Sequence, residues 1–400
     1  MTATPLFSDK YWDSPHEVAD ALRAEASVHP ATLPNSVQVW VIGQYEHARA
    51  ALTDPRLSKD AAGLNAIIRT QLAANGRRDK LSNMFSPHML LSEDPAHARL
   101  RGLVAKEFTR RRVEALRPRI EHLVDDLLAP LPGEEPVDLI GRVAFPLPLT
   151  VICELLGIPP QGRQPLRDWS AALMEDLPGR ALPASKQMEQ AFTDLIAAKR
   201  AGPGDDLLSA LIQVADHEDR MTTDELMATL FLLVVAGHET STNMIGNASR
   251  WLLQDPRRWR QLGDHPEDVP GAVEELLRFA PPVRMATHRF TTEPVEYGGV
   301  LIPANEIVLV DLLSANRDTD RFPDGDTLDL RRDATGHLSF GYGIHYCLGA
   351  QLGRMEAEIA LAALTLRFPH ARLAVDESTL RRRRSTIMNG YIELPVLLEH

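Results

Sequence analysis

The residues Phe340-Gly341-Tyr342-Gly343-Ile344-His345-Tyr346-Cys347-Leu348-Gly349 put a thiol at the end of a glycine-punctuated loop, directly ahead of an amphipathic stretch running from Ala350 to Phe368. A helix starting there aims free N–H groups and the positive end of its dipole at the sulfur. Both lower a thiol pKa and support a coordinated thiolate. Gly341, Gly343 and Gly349 let the backbone turn tightly against a flat ligand. A single thiolate suits a haem iron, whereas zinc needs companion ligands, and no Cys-x-x-Cys or His-x-x-x-His stands nearby. The competing reading is a buried structural cysteine in a turn. That reading is the one given to Cys153, which sits inside the apolar run Val151 to Leu156.

A second constellation is Ala236-Gly237-His238-Glu239-Thr240, which follows a continuous apolar run from Leu226 to Val235 with no proline between them. One helix is expected to pass straight through. A mid-helix glycine costs about 1 kcal/mol against alanine, and hydroxyl side chains compete for backbone bonds, so the segment has no evident structural gain. Over a haem, a back-bonded Thr240 would open a notch for dioxygen and Glu239 would relay protons. The alternative is a threonine cluster at a helix break with Glu239 solvated. His238 receives no role. Glu275 and Arg278 form an i,i+3 pair that, taken alone, reads as a surface ion pair.

The elements that must hold these groups are mostly helical. Arg99 to Leu128, Leu207 to Val214, Thr223 to Leu253, Val269 to Phe279 and Gly349 to Phe368 carry apolar residues at three- and four-residue spacing. Strand-like runs are short: Val37 to Ile42, Val295 to Ile302 through Gly298-Gly299, Ile307 to Leu312, and Tyr391 to Leu398. They predict small peripheral sheets. Lys59 to Glu93 and Pro159 to Ser185 read as long irregular segments of the kind that form lids, and Asn316 to His337 as a surface meander leading into the cysteine loop. No linker, repeat or composition shift divides the 400 residues, so one domain, 1–400, is expected.

Forty-four per cent hydrophobic residues allow a buried cavity, and a net charge of −12 argues against nucleic acid as a general partner. No apolar run reaches bilayer length and the N-terminus lacks an export pattern, so a cytoplasmic protein that does not enter the membrane is expected. Two cysteines suit a reducing compartment. No Gly-x-Gly-x-x-Gly follows a strand, so any electrons must come from another protein. Arg99, Lys106, Arg110, Arg111 and Arg112 form a basic stretch that would complement an acidic redoxin, or simply a solvated helix face. Arg381 to Arg384 read as solvated turn charges.

Phe340, Gly343, His345, Cys347 and Gly349 match the haem-binding signature Phe-x-x-Gly-x-His/Arg-x-Cys-x-Gly, and from about Tyr11 to its end the chain resembles the cytochrome P450 family. It is most similar to the soluble bacterial members of actinomycete natural-product metabolism. The resemblance implies a mainly α fold with haem b (iron protoporphyrin IX) buried between a helix and a cysteine loop, and Cys347 as the proximal ligand of the iron. It implies contacts to the cofactor from Ala236, Gly237, Phe340, Gly341 and Gly349, and propionate anchors in His97, Arg101, Arg289 and His345. By the same resemblance Thr240 serves oxygen binding and protonation and Glu239 proton delivery. Glu275 and Arg278 become a buried scaffold completed by Arg332 in preference to Arg331. The substrate pocket is placed at parts of Lys59 to Glu93, Leu166 to Phe192, Leu230 to Thr240, Pro282 to Thr287 and the tail, with Val235, Val283, Met285, Thr287 and Met388 as lining residues.

The expected activity is a monooxygenase acting on a bulky apolar small molecule, with a ferredoxin and ferredoxin reductase as partners, working as a monomer. A peroxide-driven peroxygenase would not need the Glu239–Thr240 pair, and a haem-thiolate sensor would need neither that pair, nor a lid, nor a docking face.

Overall fold

The computed structural model describes residues 6–76, 86–133, 135–177, 179–217 and 220–399, with the side chain of His217 excepted. Its central element is the helix Thr223–Leu253, 31 residues and about 46 Å long at 1.5 Å per residue. Thr222 and Glu225 close a capping box at its start, with Glu225 N–H donating to Thr222 Oγ1 at 3.1 Å and Thr222 N–H donating to Glu225 Oε2 at 2.9 Å. The helix does run through Ala236 to Thr240 unbroken. It is buried on almost every side because helices pack around it in full, which explains why its sequence shows an apolar run rather than a stripe.

Gly237 has a structural reason that its sequence context did not reveal. The helix Pro146–Leu156 crosses the central helix there, and a Cβ on Gly237 would come within 2.9 Å of Ile152 Cγ1. On the other side, Ala350–Arg367 packs against the central helix, Arg117–Leu128 and Val269–Phe279, around a core that includes Leu252, Trp259, Leu276, Leu361 and Phe368. Trp259 Nε1–H donates to the Phe368 carbonyl at 2.8 Å, so its one polar atom is satisfied inside that core. A second core, with Met188, Phe192, Leu208 and Phe231, lies between the central helix and the helices Ala181–Ala201 and Leu207–His217.

Both segments expected to be irregular contain helices. Ala61–Ala74 begins at Asp60, whose side chain accepts from Gly63 N–H at 2.7 Å, while residues 77–85 of the expected loop lie outside the described residues. Arg163–Met174 and Ala181–Ala201 occupy most of the other segment. Pro165 is tolerated because it falls in a first turn, where its missing N–H has no partner to lose. Arg99 to Leu128, by contrast, is not one helix: it breaks into Ala96–Ala105, Arg110–Ala115 and Arg117–Leu128, with Pro118 in the first turn of the last.

The sheets are small. Five strands lie in the order Val28–Thr32, Gln38–Ile42, Ile307–Val310, Arg289–Thr291 and Leu57–Ser58, with the second and third parallel and the other pairs antiparallel. Val295–Tyr297 and Val300–Ile302 form the expected hairpin, with Gly298 and Gly299 at φ 56° and 77°. At the tail only Pro395–Leu397 is a strand, pairing with Val137–Asp138 and Arg372–Leu373.

The expected meander is pinned from beneath. Arg278 and Glu275 are fully buried, and the guanidinium donates to both carboxylate oxygens, at 2.6 and 2.7 Å, and to the carbonyls of Asn316 and Gly325 at 2.8 and 2.7 Å. Arg332 Nε donates to Glu275 Oε1 at 3.3 Å, as does Asp329 N–H at 3.0 Å, and Arg331 stays at the surface. Asn316 then carries the order forward, accepting from Leu338 N–H at 2.6 Å and donating to Ser339 Oγ at 2.8 Å. This chain of bonds sets the start of the cysteine loop. Among the described residues no helix is long and apolar enough to cross a membrane.

Candidate active site

The loop from Phe340 closes on itself when Cys347 N–H donates to the Phe340 carbonyl at 2.8 Å. Gly341 and Gly343 have φ of 73° and 77°, and a Cβ at Gly343 would lie 2.7 Å from Thr53 Cγ2, so both turn geometry and space demand glycine there. Cys347 opens into a deep cavity whose far wall is the central helix at Leu233, Ala236, Gly237 and Thr240. Phe340, His345 and Gly349 complete the near side. Ala236 is exposed and Gly237 and Thr240 half-exposed in a helix otherwise buried, so this face turns toward the thiol across open space.

Depth inside the protein raises the Cys347 thiol, while the Gly349 N–H and the charges of Arg101 and Arg354 pull it down without winning. The sequence-based expectation of a lowered thiol pKa is corrected accordingly: the helix start contributes, but burial outweighs it. A metal ion would reverse that balance, because a coordinated thiol is deprotonated. Cys153 is buried among apolar neighbours, with its thiol pushed up to about 12 by burial, and lies in the core rather than the cavity.

Thr240 Oγ1–H donates to the Ala236 carbonyl at 2.8 Å, the local back-bond expected of it. Glu239 is not solvated. Burial would raise its pKa, yet His238 and Arg383 outweigh burial and hold it at about 2. Arg383 donates to Glu239 Oε2, and His238 Nε2 lies 3.7 Å from Oε1. Arg383 and the half-buried Arg382 are therefore not free turn charges; only Arg381 and Arg384 are exposed, paired with Glu393 and Asp9.

Basic groups converge at one edge of the cavity. His97 and His345 lie with ring centroids 4.5 Å apart, and Nε2 of each has no hydrogen-bond partner among the described residues. Arg101 donates to the Tyr346 carbonyl at 2.7 Å, and Arg289 to the carbonyls of Leu52 and Leu57 at 3.1 and 3.2 Å, with no partner for its Nε among the described residues. Burial and the charges of Lys59, Arg289, His97 and Arg101 drive His345 down to about 2, and burial takes Arg289 to about 10. Basic groups this crowded, two of them arginines, suit a ligand carrying carboxylates.

Two residues here escaped the sequence reading. Lys59 is 2% exposed, donates to Thr287 Oγ1 at 2.5 Å, and is held well below the lysine range by burial and by Arg289. Glu356 lines the cavity beside Ser241, and burial pushes it up to about 8. Neither has a local signature, since each becomes unusual only through what folds over it.

The five expected pocket residues do not line the cavity. Val235 lies about 100° round the helix from Ala236 and is 1% exposed, and Met285 and Met388 are buried too. Val283 and Met388 bridge each other, Met285 bridges Asp311, and Thr287 is occupied by Lys59. Leu232, Leu233, Met244, Met89 and Pro282 form the apolar wall instead. In the basic stretch, Arg99 is neutralised by Glu225 at 2.5 Å and Arg112 pairs with Glu107 at 2.9 Å, while Lys106, Arg110 and Arg111 are exposed.

A helical fold with one thiol facing a long helix across a cavity, and basic groups along its edge, defines a haem-thiolate protein. The family model described as Cytochrome P450 matches residues 269–388. Cytochrome P450 107B1 of Saccharopolyspora erythraea is 46% identical over 98% of this chain and 96% of its own length. The 6-deoxyerythronolide B hydroxylase of the same organism is 40% identical across the whole of both chains. The solved structure of the tirandamycin C-bound P450 monooxygenase TamI superposes with a TM-score of 0.92 at 45% identity, covering 98% of this chain and 99% of that one. The chain belongs to the cytochrome P450 family and is a P450 monooxygenase of the bacterial natural-product type.

Proposed function

We propose that this monooxygenase inserts one oxygen atom from O2 into a bulky apolar small molecule, by hydroxylation or epoxidation, with electrons from a ferredoxin and its reductase. Polyketide macrolides, steroids and terpenoids are the substrate classes that fit. The observation carrying the reading is the cavity above Cys347, whose wall of Leu232, Leu233, Met244 and Met89 offers an apolar guest no polar partner to satisfy. Relatives that hydroxylate 6-deoxyerythronolide B or hold tirandamycin C support it.

The residues present fit haem b. Cys347 would hold the iron, with the Gly349 N–H hydrogen-bonded to its sulfur, and His97, Arg101, Arg289 and His345 would hold the propionates. Bound there, the haem supplies the redox-active iron at which dioxygen is reduced. Thr240, fixed by its bond to the Ala236 carbonyl, presents its oxygen to the cavity as a proton carrier, and Glu239 is the carboxylate that resupplies it. Leu232 and Leu233 exclude water from that face and orient an apolar guest toward the thiol side.

The reduced, carbon monoxide-treated protein is expected to show the red-shifted Soret band of thiolate-ligated haem, and Cys347→Ser to lose it. A histidine-type spectrum in the wild type overturns the ligation. With a surrogate ferredoxin, its reductase and a panel of macrocyclic, steroid and terpenoid probes, labelled dioxygen is expected to put one labelled atom into product. Turnover driven only by peroxide overturns the monooxygenase route.

A further inference from the structure

Lys59 is the first residue beyond the strand Leu57–Ser58, and it is buried where lysine is seldom buried without a charged partner. Leu57 lies opposite Thr291 and Ser58 opposite Phe290, so the antiparallel register carried one step further sets Lys59 opposite Arg289, on the same face of the sheet. Two basic side chains thus meet across neighbouring strands, Lys59 2% and Arg289 5% exposed. Like charges so placed repel each other. The acceptors that the Lys59 amine has among the described residues are neutral ones: Nζ donates to Thr287 Oγ1 at 2.5 Å and to the Thr287 carbonyl at 3.4 Å.

The charged and titratable groups around the amine are Arg289 and His288 on the facing strand and its approach, His345 in the cysteine loop, and Glu93 just beyond the turn Met89–Leu91. Glu93 is held close because its Oε1 accepts the Lys59 N–H at 2.6 Å, and it is a carboxylate that acts on both Lys59 and Arg289. It does not suffice. Burial, with Arg289 adding to it, holds the amine well below the lysine range. The adjacent Asp60 is committed to the start of Ala61–Ala74, where its side chain accepts from Gly63 N–H at 2.7 Å. After burial, Lys59 is the strongest influence keeping His345 neutral, and His345 lines the cavity. An amine short of one negative charge therefore stands at the basic edge, where a ligand's carboxylates have their partners.

We propose that Lys59 is a further anchor of the propionate edge, and that it takes up a proton from water as the dianionic cofactor enters. Without added carboxylates, burial and Arg289 keep the amine neutral on the Thr287 hydroxyl. A carboxylate brought beside it supplies the missing counter-charge, the ammonium form becomes favoured, and one proton moves from water to Nζ. Esterified propionates carry no charge and leave the amine neutral. Lys59 holds the rim of the cofactor in this scheme and touches no reacting atom. The inference rests on the haem reading proposed above.

The holoprotein is prepared with haem and with haem dimethyl ester, which keeps the ring and removes both charges, and transfer of either group to excess apomyoglobin is timed. Lys59→Met, which keeps the length of the side chain, is expected to speed the loss of haem about tenfold near neutral pH, the scale of one hydrogen bond between charged groups, and to leave loss of the ester unchanged. Equal acceleration of both gives Lys59 a packing role only and overturns the anchor, as does acceleration of neither. The proton is read in the wild type by NMR of lysine labelled at Cε, in the ferrous carbon monoxide form; the chain has six lysines, and Lys59→Arg removes the signal in question. Near neutral pH Lys59 is expected to be charged with haem and neutral with the ester. The same charge state in both overturns the proton uptake. Should Lys59→Met lack the red-shifted carbon monoxide band and so fail to fold, the wild-type spectra decide alone: a signal that titrates differently with haem and with ester supports the anchor, and one that titrates alike overturns it. If the wild type itself shows no such band, the haem reading fails and takes this inference with it, whereas a normal band with haem loss unmoved in Lys59→Met overturns this inference alone.

Discussion

Around His345 the chain gathers Lys59, His97, Arg101 and Arg289, and their mutual repulsion is a stability cost that a dianionic cofactor relieves. Arg289→Leu is expected to weaken haem uptake by the apoprotein about tenfold, the effect typical of losing a supporting partner, measured by titration with haem. Glu356 adds a pH effect of opposite origin. Its folded pKa of about 8 lies above the ordinary carboxyl value, so the folded state binds the proton more tightly than the unfolded state. Its contribution is full below about pH 4.5 and is lost as pH rises through about 8, at about 1.4 kcal/mol per unit. Glu356→Gln is therefore expected to flatten the fall in apoprotein stability between those values, with no gain at pH 4, as read by denaturant unfolding at each pH.

At the scale of elements, the contact between Gly237 and Ile152 decides how closely Pro146–Leu156 crosses the central helix. Gly237→Val is expected to lower stability by about 1–3 kcal/mol through overpacking, and Ile152→Ala in the same chain to recover part of it, measured by thermal unfolding. Arg278 binds helix and meander together. Arg278→Leu leaves the Glu275 carboxylate buried opposite Arg332 alone, and a loss of about 3–5 kcal/mol follows from breaking such a pair. Because the meander leads into the cysteine loop, that variant is also expected to lose the red-shifted carbon monoxide band on purification.

In the whole molecule, what could be read along the chain and what could not divide by contact range. The cysteine loop and the unbroken central helix depend on residues a few positions apart, and their types and spacing sufficed to place them, whereas Glu275 and Arg278, a surface pair by spacing alone, needed the family resemblance to be read as buried. The two expected irregular segments were misread because turn-forming residues are scattered through them, Gly, Asn, Ser and Pro in the first and Pro and Gly in the second, whereas in the second the tertiary structure uses prolines in first helical turns. Arg383 looked like a solvated charge because nothing near it in sequence pairs with it, and its partner is 144 residues away. Lys59 meets Thr287 across 228 residues, and Val235 was assigned to a pocket from which helix rotation turns it away. By itself, then, the sequence determined the family, the place of the thiol and the unbroken course of the central helix, since those reside in local patterns. Only the tertiary structure decided which charges are buried together and which apolar side chains form the cavity wall, because burial and pairing arise when distant segments pack and remove water between them.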